Sequence, residues 1–174
     1  MTSRPLMISS LLIGFILVLA PAAQAAEHKI GFGAHFWRTV DDIADDGFDN
    51  IDDDGFAGVF SYQYVPESLL YFEFDVEYFG DGFGGSDDTA ITPMAFVLVG
   101  RGLYGGVGVG LTFADSFVDD VSDPFFAARI GFQFSLVPNI QFDINANYRA
   151  DAFNELDGAD TDAITLGAVV RFTL

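Results

Sequence analysis

From residue 140 to 150 the chain alternates without a break. Ile140, Phe142, Ile144, Ala146, Tyr148 and Ala150 form one series, and Gln141, Asp143, Asn145, Asn147 and Arg149 form the other. A period of two places successive side chains on opposite faces of a strand. Seven further stretches repeat the pattern, so that strands are expected over 29–38, 57–65, 69–79, 91–100, 103–113, 125–136, 140–150 and 163–174. Their connections alternate between tight (66–68, 101–102, 137–139) and long (39–56, 80–90, 114–124, 151–162). Alternate connections therefore lie at opposite ends of one sheet. The expected fold is all-β: an eight-stranded antiparallel up-and-down transmembrane barrel with short periplasmic turns and long extracellular loops.

Alternation leaves open which face looks outward, and volume decides it. One face collects Ile30, Phe32, Phe36, Phe60, Phe72, Phe74, Val107, Val109, Leu111, Ile130, Phe132, Phe134, Leu166, Val170 and Phe172. So many large groups exceed the interior of an eight-stranded barrel, which just accommodates ordinary side chains. The opposite face carries Gly31, Gly33, Gly106, Gly108, Gly110, Gly131 and Gly167 with polar residues between them, which suits a narrow lumen. The apolar face is therefore expected to meet lipid. In the fourth strand two apolar series compete, and Met94, Phe96 and Leu98 are assigned outward over Ala95, Val97 and Val99. Pro93 withholds one ladder donor and predicts an irregular start to that strand.

Residues 1–25 read as an export signal: Arg4 heads the apolar run 11–20, which leads to Ala23-Gln24-Ala25. The remainder, 26–174, is expected to form a single barrel domain. There is no cysteine, which excludes disulfides, thiolate metal sites and a thiol nucleophile.

These residues resemble the small outer-membrane barrels of the OmpA/OmpX type, a likeness of architecture that covers all of 26–174. The closing stretch 164–174 is similar to the C-terminal strand that the barrel-assembly machinery recognises in that class. It departs from it in ending on Leu174, with Phe172 two places earlier. The resemblance implies location in the bacterial outer membrane, with lipids and lipopolysaccharide as surroundings and the monomer as the favoured state. It also suggests that Tyr64 at the inner rim and Tyr78 and Tyr148 at the outer rim belong to aromatic girdles.

Charge sharpens the picture. Without Arg4, 26 acidic residues stand against six basic ones, a net of −20. The long loops hold twenty of the acids and no Lys or Arg, so cationic partners are favoured and nucleic acid is excluded. In the first loop Asn50, Asp52 and Asp54 before Gly55 match the opening of a calcium loop. The pattern then fails, because the position for a bidentate Glu holds Ser61. Ca²⁺ is therefore only a speculative ligand, and no other cofactor is implied.

In the expected lumen Glu73, Asp75, Glu77 and Asp143 face Lys29, Arg129, Arg149 and Arg171, which suggests an ion-pair network plugging the tube. Counting along the strands places Glu77 nearer Arg129 and Arg149, and Glu73 nearer Arg171. A Ser61–His35–carboxylate arrangement can be drawn inside, but it faces away from any lipid substrate, and no catalytic residue is assigned. The expected function is a non-enzymatic barrel displaying acidic loops for envelope integrity, adhesion or surface interaction. The alternatives are a narrow channel for small solutes or hydrophobic molecules and, less favoured, a lipid-modifying enzyme.

Overall fold

The computed structural model describes residues 26–39, 54–80, 89–114, 120–121, 124–150 and 162–174. The expected signal segment, most of the long loops, and Asn50 and Asp52 of the calcium-like run lie outside the described residues. Asp54 is the first residue of its strand and is exposed.

Eight long strands follow the alternating stretches: β1 (Glu27–Thr39), β2 (Asp54–Val65), β3 (Leu70–Phe79), β4 (Ala90–Arg101), β5 (Leu103–Gly110), β8 (Phe125–Val137), β9 (Ile140–Ala150) and β10 (Ala163–Thr173). Two short strands, β6 (Phe113–Ala114) and β7 (Asp120–Val121), extend the β4–β5 hairpin at its outer end. Every neighbouring pair is antiparallel, and β1 pairs with both β2 and β10, so the sheet closes and no spanning strand is left as an edge.

The register also fixes the stagger. From Gly31, pairing through β10 and β9 arrives at Ser135 of β8, whereas pairing through β2, β3, β4 and β5 arrives at Phe125 of the same strand. The two routes meet ten residues apart. With eight strands this stagger tilts them by about 40° and widens the tube relative to a less sheared barrel.

That width holds more than small and polar residues. Trp37, Tyr71, Phe79, Met94, Phe96, Leu98, Tyr104 and Phe125 all point inward and are buried. The outward assignment of Met94, Phe96 and Leu98 is therefore wrong: each is at most 2% exposed, and Ala95, Val97 and Val99 face out. The reason lies on the facing strand. Gly110, Gly108 and Gly106 of β5 stand opposite Met94, Phe96 and Leu98 in register, and their missing side chains vacate the space these three fill. Pro93 also acts elsewhere than expected. It sits in continuous register with Val76 of β3, and the break falls on its other neighbour, where Leu111 and Thr112 separate β5 from β6. Pro93 still accepts a bond there from Leu111 N at 3.3 Å.

Outward, the eight spanning strands carry charge only at their ends: Arg38 and Asp54 at the long-loop end, with Asp162 just before β10, and Arg101 at the short-turn end. Between lies an apolar band in which Phe32 pairs with Phe60 and Phe36 with Phe56, with ring centroids 5.3 Å apart in both cases. Side chains such as Val107 (66% exposed) and Phe126 (72%) cannot be left to water as a continuous belt, and acyl chains are the solvent that suits them. Tyr78 and Tyr148 are exposed on this face near the outer end; Tyr64, near the inner end, is covered by His28 and Phe72.

Trp37, the single tryptophan of the chain, is inside the tube. In vesicles its fluorescence is expected to resist quenching by lipids brominated on their acyl chains, whereas a tryptophan introduced as Val97→Trp is quenched strongly. Equal quenching of both would refute the inside–outside assignment.

Candidate functional site: the lumen network

The inward residues form a layered polar core. At the long-loop end Trp37, Ala57, Phe79, Ala90 and Ala163 close the lumen with an apolar cap. Beneath it Arg149 Nη2 bonds both carboxylate oxygens of Glu77 at 2.5 Å, and His35 Nδ1 contacts the same carboxylate. Gly167 makes this possible, since its bare Cα lies against the His35 ring.

The next layer is a five-residue cluster. Arg129 reaches Glu73 at 2.8 Å and Asp75 at 2.7 Å, while Arg171 reaches Glu73 at 2.7 Å and Asp143 at 3.4 Å. Arg129 further donates through Nε to Asn147, and Arg171 donates to Ser61. The Arg129 guanidinium also lies 3.8 Å from the centroid of the Phe96 ring. Strands on opposite walls, β3 on one side and β8 and β10 on the other, are thereby tied across the tube. Towards the inner end Asp143 accepts from Tyr104 at 3.0 Å, Gln133 at 2.6 Å and Asn145 at 2.8 Å. Neutral donors thus meet the needs of this carboxylate, which has only the longer contact to a guanidinium.

Seven of the eight residues expected in the network are brought together. Lys29 is not: it sits at the inner mouth, paired with Glu27 at 3.2 Å and bonded to Gln141 at 3.3 Å. Glu77 meets Arg149, and Glu73 meets Arg171. Arg129 goes to Glu73 and Asp75 instead of Glu77, because the ten-residue stagger tilts the rows that counting from strand ends treats as level. Four buried carboxylates thus share the lumen with three guanidiniums and His35.

Sequence reasoning missed Gln63, Tyr104, Asn145 and Asn147, which donate to the carboxylates or link the network. Their inward parity was readable. Of the drawn triad only the His35–carboxylate contact forms, with Glu77: Ser61 accepts from Arg171 and pairs in register with Gly31, four places along β1 from His35. Among the described residues no group of three His, Asp or Glu side chains is placed to hold a metal.

A closed, all-antiparallel tube of eight spanning strands with an apolar exterior and a charged interior has the fold of the small outer-membrane β-barrels. Solved structures of that kind are similar to it. Neisserial surface protein A aligns with a TM-score of 0.60 at 15% identity, covering 87% of this chain and all of that one, a likeness of fold. Ail, the attachment invasion locus protein of Yersinia pestis, aligns at 24% identity over 86% of this chain and all of its own, with a TM-score of 0.43. OprG of Pseudomonas aeruginosa aligns at 13% identity over 86% of this chain and 94% of its own, with a TM-score of 0.49. No protein-family model and no curated protein matches the sequence.

Proposed function

We propose that the chain is a non-enzymatic outer-membrane barrel with a plugged lumen, whose role is to present its acidic long loops at the cell surface. The observation that carries this reading is the cross-lumen tie of Glu73 and Asp75 to Arg129 and Arg171, all four side chains at most 1% exposed. Opening a path would require parting charged pairs in a desolvated interior, where each ion left without a partner costs several kcal/mol. Apolar side chains occupy the lumen above and below the network. The engagement of Ser61 and His35 in that network favours a structural role for both over a catalytic one.

Planar-bilayer recording tests the plug. Purified protein in about 1 M salt, which screens surface charge, is expected to give no steady openings above leak. Large, long-lived conductance steps would overturn the reading in favour of a channel.

A further inference from the structure

A shallow groove on the lipid-facing side, about 170 Å³ in volume, lies between β1 and β10 at their long-loop ends and is lined by Phe36, Arg38, Ile164 and Leu166. Arg38 stands opposite Ile164, and Phe36 opposite Leu166. One step further towards the middle of the band the outward pair is Ala34 and Ala168, with Gly58 of β2 beside Ala34. A belt built largely of Phe, Leu, Ile and Val therefore has a notch of three small residues running down from the groove.

Arg38 is unusual in its surroundings. Of the six basic residues in 26–174, Arg129, Arg149 and Arg171 are consumed in the lumen and Lys29 lies at the inner mouth. Arg101 caps the inner turns through Pro66 O at 2.9 Å and Ser68 O at 2.8 Å. Arg38 alone is left for the outer half of the exterior. It is exposed and makes no ion pair among the described residues, although Asp54 stands opposite it in register. A guanidinium at an interface, with its stem along apolar side chains, is suited to a doubly bonded phosphate oxygen pair.

We infer that this groove is a binding site for a phosphorylated outer-leaflet glycolipid of the lipid A kind. Arg38 takes a phosphate, and one acyl chain runs over Phe36, Ile164 and Leu166 into the Ala34–Ala168 notch. The inference rests on the reading that the long-loop end lies in the outer leaflet. It also answers a difficulty of that reading, for acidic loops among anionic head groups need a cationic contact.

The test uses the full barrel, its fold checked by heat-modifiable gel migration, and native mass spectrometry of lipid adducts released from detergent. The probes are bisphosphorylated lipid A, its dephosphorylated form with the same acyl chains, and phosphatidylglycerol. Wild type is expected to retain bisphosphorylated lipid A in preference to both others. Arg38→Gln should reduce that retention about fivefold, the weight of one basic contact to an anionic lipid. Ala168→Phe, which fills the notch, should reduce it as well while leaving migration unchanged. Equal retention by wild type and Arg38→Gln overturns the site, as does phosphatidylglycerol or the dephosphorylated lipid binding as well as lipid A. Wild type retaining no lipid of any kind would instead count against the outer-leaflet reading itself.

Discussion

Arg129→Ala is expected to lower the urea midpoint of the barrel far more than Arg38→Ala when both are unfolded from phosphatidylcholine vesicles and followed by heat-modifiable migration. Arg129 is the only cation paired with Asp75 and one of two paired with Glu73, and its own side chain is fully enclosed. Its loss leaves the buried Asp75 without its cationic partner, a penalty of about 3–5 kcal/mol. The cation–π contact with Phe96 is lost as well. Arg38 is exposed, and truncating it should cost about 0–1 kcal/mol. A control separates lost attraction from stranded charge: Arg129→Met combined with Asp75→Leu discharges both partners and should recover much of the single-variant loss. Equal midpoints for Arg129→Ala and Arg38→Ala would remove the network as a source of stability.

The network was legible in kind and only partly in detail. Parity alone sends Glu73, Asp75, Glu77, Asp143, Arg129, Arg149 and Arg171 inward, because a one-residue slip would place all of them in lipid. Which carboxylate meets which guanidinium depends on the stagger of the closed sheet, a property of all eight strands that no single strand carries. The same distinction explains β4. Its two apolar series are equivalent locally, and the choice between them is made by Gly106, Gly108 and Gly110 on the next strand. The clue lay in the sequence, in glycines already assigned inward. It was outweighed by the expectation that large side chains belong outside, which holds on average and fails where a glycine row vacates the facing wall. The apolar inward groups Trp37, Phe79 and Phe125 follow from the same extra room.

Gly108→Val is accordingly expected to be among the most damaging single changes in β5, and Gly105→Val among the mildest, although the two sites are three residues apart. A Cβ at Gly108 would lie 2.5 Å from Phe96 Cδ1 and 2.7 Å from the carbonyl oxygen of Ala95. The ring could turn, but the backbone oxygen cannot, and valine adds two methyl groups beyond the Cβ. Overpacking of this kind costs about 1–3 kcal/mol, and more where the obstacle is main chain. Gly105 faces outward, where a Cβ would approach only the Arg129 carbonyl oxygen, at 3.5 Å. Valine there trades a flexible residue for a β-branched one against lipid and should be neutral or slightly stabilising. Adding Phe96→Ala to Gly108→Val should restore part of the loss by removing the ring and leave the clash with Ala95 in place. The comparison decides which face of β5, and with it which series of β4, lies inside: were Met94, Phe96 and Leu98 turned to lipid, the valine at 105 would be the one to abolish the folded band on the gel.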